Sequence, residues 1–186
     1  MLYILKESFN NMDILLYLLN LGIAGIGRVL DIGSTWYASR TLALESNLFA
    51  KKLGWKGIII LNTSLCFFFA LEFYFAIVLL VVSAFAASNN LQKAWVTQTI
   101  GEKEYRQIFT NWVKQAESKK LYFSIIGGGI ILLSIGILLM IFTINTTDLT
   151  GFYIGVGLAL FASAIMFHQS LALFKIRKDK EDQKAN

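Results

Sequence analysis

The sequence predicts an all-α fold: a polytopic transmembrane helix bundle of five spans, with four as the alternative, plus one cytoplasmic amphipathic helix. The 186 residues are 56% hydrophobic and only 16% charged, whereas soluble domains carry roughly 25% charged residues. Several apolar runs approach or exceed the roughly 20 residues that a spanning helix needs. Most of the 17 Lys and Arg residues lie between these runs, where positive charge sets orientation in the bilayer. No basic face for nucleic acid is expected.

The chain is predicted to form one transmembrane domain over residues 1–186. The first span covers about 14–37 and is retained, because the mixed segment before it and the charges within it do not form a secretory signal. The last two spans cover about 121–144, which carries no charge, and 151–174. A charged tail, 175–186, follows them.

The stretch from 57 to 88 has two interpretations. As one helix it would be about 48 Å long at 1.5 Å per residue, well beyond the roughly 30 Å hydrocarbon core. As a hairpin it forms short spans over about 57–71 and 73–88, with Glu72 between them. No Gly, Pro or Asn marks a turn there, which favours the single helix.

The distribution of positive charge favours the hairpin. With five spans, fifteen Lys and Arg residues lie on one side of the membrane and one on the other; with four spans the division is twelve against four. Basic residues are enriched in cytoplasmic loops. We therefore predict five spans in the plasma membrane, with the basic loops and the C-terminus cytoplasmic.

The segment between the third and fourth spans predicts an amphipathic helix at about 102–118. Tyr105, Ile108, Phe109 and Trp112 follow the spacing of one helical face. Such a helix lies in the cytoplasmic membrane interface with Trp112 as its anchor. A helix packed as a cap against the spans would show the same pattern.

Arg28 and Asp31 are charged residues inside the first predicted span. They are three residues apart and therefore share one helical face. Charges in spanning helices face a bundle interior or a wet cavity and often mark substrate or ion pathways. The alternative is a local ion pair that only fixes the helix near the cytoplasmic boundary.

Further oxygen-bearing side chains follow at the same membrane face. Thr35 lies one turn beyond Asp31, and Glu45 and Asn47 lie in the short connection after the span. Carboxylate, hydroxyl and amide oxygens suit divalent cations such as Mg²⁺, Ca²⁺ or Mn²⁺, so a divalent cation is a candidate cofactor. In the alternative interpretation, Glu45 and Asn47 only cap the next helix and face solvent.

The order Asp31, Thr35, Glu45-Ser-Asn47 resembles an uncharacterised family of small polytopic membrane proteins. In that family an Asp and a Thr of the first span precede a Glu-x-Asn-Pro loop, and here Leu48 stands in place of the Pro. The resemblance covers residues 1–90, with Asn89 or Asn90 near the end of its third span. It implies the hairpin interpretation of 57–88 and no particular activity.

Glycines in the last two spans predict close helix packing. Gly127, Gly128 and Gly129 are consecutive in the fourth span, and Gly151 and Gly155 form a GxxxG pattern in the fifth. Small residues let helix backbones approach closely in lipid. Packing within one subunit is the default interpretation, and a subunit interface is the alternative.

These features rank three classes of function. The first is a small transporter or channel-type protein for an ion or small polar solute, with Arg28, Asp31, Thr35 and Glu45 as its polar site. The second is a non-catalytic accessory or assembly subunit that binds another membrane protein or forms a homo-oligomer in the lipid bilayer. The third is a metal-dependent membrane enzyme acting on a lipid-type substrate. No recognisable catalytic motif supports the enzyme, which is therefore the less expected class.

Overall fold

The computed structural model describes residues 13–45 and 48–185, with side chains described up to residue 178 except at positions 48 and 49. Within these ranges the chain is all α, without strands. Six helices follow one another: α1 (Ile14–Ala38), α2 (Leu48–Phe69), α3 (Phe73–Ile100), α4 (Glu102–Gln115), α5 (Ser118–Thr143) and α6 (Thr150–Ala185).

Four helical segments of the described chain are long and apolar enough to cross a membrane. They are Ile14–Ala38, Phe73–Ile100, Ser118–Thr143 and Thr150–Lys178. Large apolar side chains remain exposed on them, such as Phe123 at 81%, and contact with lipid removes this surface from water. The all-α bundle of apolar helices agrees with the predicted fold class, although α2 is not among the four segments.

The stretch from 57 to 88 is divided between α2 and α3. The helix ends at Phe69 and the next begins at Phe73, although the sequence offers no usual turn residue there. Glu72 has an extended backbone, and its side chain makes no capping hydrogen bond. The carbonyl of Ala70 instead accepts a hydrogen bond from the Asn20 side chain of α1 at 3.1 Å. A tertiary contact therefore helps to satisfy the broken helix end.

Two glycines with positive φ divide the helical segments near the other end of the bundle. Gly54 (φ 66°) interrupts α2 after its first six residues. Gly101 (φ 88°) ends α3 immediately before α4 begins. Glycine adopts this backbone region at little cost, so both positions form sharp changes of direction.

α1 and α3 run parallel and in close contact. Asn20 meets the start of α3 at Ala70, and at the far end Thr97 Oγ1 of α3 donates to the Ala38 carbonyl at 3.1 Å. Between these points a Cβ on Gly27 would lie 3.0 Å from Leu80 Cα. Because α1 and α3 point the same way, α2 runs back between the end of α1 and the start of α3.

α5 and α6 form an antiparallel pair, and α6 runs parallel to α3. A Cβ on Gly136 of α5 would lie 2.7 Å from the Gly155 carbonyl oxygen of α6. Tyr74 and Tyr153, near the starts of α3 and α6, stack with ring centroids 4.6 Å apart. Small residues thus allow close backbone contact here, as in other membrane bundles.

α4 closes one end of the bundle. Arg177 of α6 donates to the carbonyls of Val113 and Ala116, the first at 3.1 Å, and to the Ser118 hydroxyl. Val113 is buried, while Trp112 is exposed. We call this end, formed by residues 39–45, the first turns of α2, α4 and the last turns of α6, the α4 end.

Candidate functional site

The charged pair predicted in the first span is formed in α1. Arg28 donates to the Asp31 carboxylate in a hydrogen-bonded ion pair. Arg28 is only 9% exposed, and its Nε is buried without a hydrogen-bond partner among the described residues. An isolated charge is costly in an apolar environment, and this pairing reduces the cost.

The side chain of Asn90 in α3 forms hydrogen bonds to α1 about one turn beyond Asp31. Its Nδ2 donates to Thr35 Oγ1 at 2.8 Å and to Ser34 Oγ at 3.3 Å. Ser34 Oγ in turn donates to the Asp31 carbonyl at 2.9 Å. A hydrogen-bonded chain through Ser34 therefore links Asn90 to the backbone at Asp31, and Thr35 is a second acceptor of the Asn90 amide.

A small, partly enclosed cavity lies next to this chain, with a volume of about 10 Å³. That is roughly the space that one water molecule requires. Its lining comes from α1, α3 and the connection after α1: Thr35, Ala38, Ser39, Leu44, Glu45, Asn90 and Lys93.

The cavity brings opposite charges together. Glu45 lies within electrostatic range of both Asp31 and Lys93. Lys93 is partly buried and forms no ion pair within the described ranges. Glu45 thus links the Arg28–Asp31 pair inside α1 electrostatically to Lys93 of α3. We call this set the polar cluster: Arg28, Asp31, Glu45 and Lys93, together with Thr35 and Asn90.

Residues 39–45 form the roof of the cavity. Leu42 has a positive φ of 57°, which is unfavourable for a non-glycine residue by about 1–2 kcal/mol. Its side chain is 4% exposed, and this burial offsets the backbone strain. Trp55 Nε1 of α2 donates to the Arg40 carbonyl at 2.7 Å, so the roof has a defined conformation.

Glu102, the first residue of α4, binds this roof through its carboxylate. Oε1 accepts from the Ser39 hydroxyl and from the Ala43 backbone N–H at 3.0 Å, and Oε2 accepts from the Thr41 N–H at 3.3 Å. Burial raises the pKa of Glu102, but hydrogen bonds from Ser39, Thr41 and Ala43 lower it, and the net pKa lies below the ordinary value. The ionised carboxylate is the form that the roof stabilises.

The structure places the predicted site residues in three groups. Arg28, Asp31, Thr35 and Glu45 lie in or beside the polar cluster, while Asn47 lies outside the described residues. A third group, the predicted glycines, lies elsewhere in the bundle. Gly129 packs on Met166, Gly151 on Thr143 and Gly155 on Gly136, whereas Gly127 and Gly128 have no neighbour within 4 Å of an added Cβ.

A divalent cation receives no further support from the geometry. Among the described residues, no group of three or more His, Cys, Asp or Glu side chains is placed to hold a metal. The two carboxylates that approach each other do so beside Arg28 and Lys93.

Lys93 and Glu102 are not among the site residues that the sequence predicts, and Asn90 is predicted only as a position near the end of a span. The sequence does contain a pattern that predicts a polar face on α3, because Asn90, Lys93 and Thr97 recur at helical spacing along an apolar helix. No comparable signal marks Glu102, whose partners are about sixty residues away.

Comparison with known proteins gives no match to a protein family, to a curated protein or to a solved structure. The fold therefore defines the class. Four apolar helices of spanning length are those of a membrane-embedded helical protein.

Proposed function

We propose that this protein is a small transporter or channel-type membrane protein that binds an ion or small polar solute in the polar cluster. One observation carries the proposal: charged and polar side chains from α1, α3 and the roof line a single cavity beside the partly buried Arg28–Asp31 pair. Burying ionisable groups in a spanning bundle is costly, and such groups mark ion or substrate pathways.

The proposed arrangement in the membrane has five crossings, with the α4 end cytoplasmic in the plasma membrane. If α1 and α3 both cross in the same direction, the chain must return between them, and α2 is the helix that connects their ends. Its part after Gly54 is about 22 Å long at 1.5 Å per residue. The fifteen-to-one division of Lys and Arg residues supports the same orientation, in which α4 lies at the cytoplasmic interface with Trp112 exposed to lipid headgroups.

The polar cluster also constrains how the solute enters. A cavity of about 10 Å³ holds one water molecule, so a larger solute requires an open state in which the roof has moved. Two carboxylates and two cations leave the cluster near neutrality, which suits a proton, a small ion with its counter-charge or a neutral polar molecule.

Asp31→Asn tests the proposal in two assays. Native mass spectrometry of protein released from mild detergent detects a retained small ligand, and liposomes containing the protein report flux of H⁺, Na⁺, K⁺ and Cl⁻ by pH-sensitive and potential-sensitive dyes. Asp31→Asn should abolish the retained ligand or the flux, while Glu72→Gln, at the opposite end of the bundle, should preserve both. Unaltered flux in Asp31→Asn, or neither ligand nor flux in the parent, would overturn the proposal.

A second candidate function, assembly with another copy or another membrane protein, is favoured by α5. Only 11% of its apolar stretch is buried within the chain, against 22–28% for the other three spanning segments. Gly127 and Gly128 lie on α5 without neighbours, and exposed small residues suit helix association in lipid. Gly22 of α1 is the control position, because an added Cβ there also meets no atom within 4 Å. A parent oligomer that Gly128→Leu dissociates and Gly22→Leu does not would support this role, whereas a monomeric parent without a bound protein would contradict it.

A further inference from the structure

The roof of the cavity depends on one carboxylate outside the polar cluster. The N–H groups of Thr41 and Ala43 and the hydroxyl of Ser39 all donate to Glu102. Ser39 Oγ also accepts from the Leu44 N–H at 3.1 Å. Backbone donors in a partly buried loop need acceptors, and within the described chain Glu102 supplies those for Thr41 and Ala43.

The contact between Glu102 and the roof depends on the orientation of α4. Glu102 is the first residue of α4, and Gly101 before it has a φ of 88°. Because glycine has no Cβ, the backbone angles at Gly101 can change at little steric cost. A tilt of α4 about Gly101 would withdraw the Glu102 carboxylate from the roof.

Alternative partners for Glu102 lie close to the roof. Arg106 is four residues further along α4, the spacing at which a Glu and an Arg on one helix can pair. Lys51 Nζ of α2 donates to the Ala43 carbonyl at 3.4 Å, and Arg106, Lys175, Glu102 and Glu45 all lie within its electrostatic range. Burial and the charges of Arg106 and Lys175 lower the pKa of Lys51.

We propose that Glu102 is the latch of a gate: while its carboxylate binds residues 39–45 (the closed state) the cavity stays too small for more than one water molecule, and its transfer to Arg106 or Lys51 widens the cavity toward the water at the α4 end. This inference rests on the proposed function, because it describes access to the same polar cluster. The gate has two states that differ in one carboxylate's partners. Solute binding would shift the equilibrium to the extent that the solute prefers the open state.

Thiol labelling measures the gate without any transport assay. Ala38 lines the cavity and is buried, so Ala38→Cys, in a chain whose single cysteine is removed by Cys66→Ser, reports opening. The protein in lipid nanodiscs is treated with a charged methanethiosulfonate reagent. Ala162→Cys, at a fully buried position of α6, reports general loosening of the fold.

Glu102→Ala should raise the labelling rate at Ala38→Cys by at least about tenfold, because hydrogen bonds to a charged group hold the closed state. Glu102→Gln should give a smaller rise, since one acceptor oxygen remains. Glu104→Ala, two residues further along α4 and exposed, should leave the rate unchanged. An unchanged rate in Glu102→Ala, or an equal rise at Ala162→Cys, would overturn the latch.

The labelling and flux assays separate the two proposals. If Glu102→Ala raises the labelling rate at Ala38→Cys as expected but Asp31→Asn leaves the flux unaltered, the proposed function is contradicted and the gate is not. If Glu102→Ala leaves the labelling rate unchanged but Asp31→Asn abolishes the flux, the gate is contradicted and the proposed function is not.

Discussion

Asn20 and Ala70, fifty residues apart in the sequence, are joined by a buried hydrogen bond of 3.1 Å from the Asn20 amide to the Ala70 carbonyl. Asn20 is 1% exposed and Ala70 is fully buried. The bond ties the start of α1 to the turn between α2 and α3. It therefore fixes the end of the bundle opposite α4 at the point where one long apolar segment becomes two helices.

Removing this bond should destabilise the bundle. Asn20→Leu leaves the Ala70 carbonyl without its donor, and side-chain hydrogen bonds in membrane bundles contribute about 1 kcal/mol. We expect a lower midpoint of thermal unfolding in detergent. Asn62→Leu is the matched control, because Asn62 donates within its own helix to Ile58. An equal effect of both substitutions would show that the tie to Ala70 has no special role.

Adding a side chain where α5 and α6 touch should also destabilise the fold. A Cβ on Gly155 would lie 2.5 Å from the Gly136 carbonyl oxygen and 3.1 Å from the Met140 backbone nitrogen. Overpacking of this kind costs about 1–3 kcal/mol. Gly155→Ala should therefore lower the unfolding midpoint, while Gly127→Ala, which meets no atom within 4 Å, should not. A stable Gly155→Ala protein would contradict the observed approach of α5 and α6.

Two adjacent asparagines provide a sharp test of the polar cluster. Asn90→Ala removes the bonds to Ser34 and Thr35 and should lower stability by about 1 kcal/mol. It should also weaken retention of the ligand, since Asn90 lines the cavity. Asn89→Ala provides the control, because Asn89 does not line it. Native mass spectrometry and thermal unfolding measure the two effects, and indistinguishable variants would refute this role of Asn90.

The depressed pKa of Glu102 predicts the direction of one pH dependence. A carboxyl group whose pKa is lower in the folded state contributes stability above its unfolded value, and this contribution is lost as the pH falls through the folded value. The ordinary value is 4.5, so the loss occurs below about pH 4.5. The difference in unfolding midpoint between the parent and Glu102→Gln should be constant near neutral pH and should shrink as the pH falls below this value. A difference in unfolding midpoint that grows on acidification would contradict the lowered pKa of Glu102.

The helical class and part of the site could be predicted because their signals are local. Composition and apolar runs predict the bundle, and a spacing of four residues places Asp31 and Thr35 on one face of α1. The break between α2 and α3 and the partners of Glu102 depend on residues far away in the sequence, such as Asn20 and Ala43. Local patterns carry no information about such tertiary contacts.

The parallel course of α1 and α6 has a practical consequence for protein engineering. α1 begins at the end of the bundle opposite α4, and α6 finishes at the α4 end. The start of α1 is thus separated from the α4 end by about the length of α1, roughly 37 Å at 1.5 Å per residue. In the five-crossing arrangement proposed above, two copies fused in tandem could not be joined by a short soluble linker when both insert in the same orientation. In that arrangement, a concatemer of this protein would need an additional membrane-crossing helix between its copies.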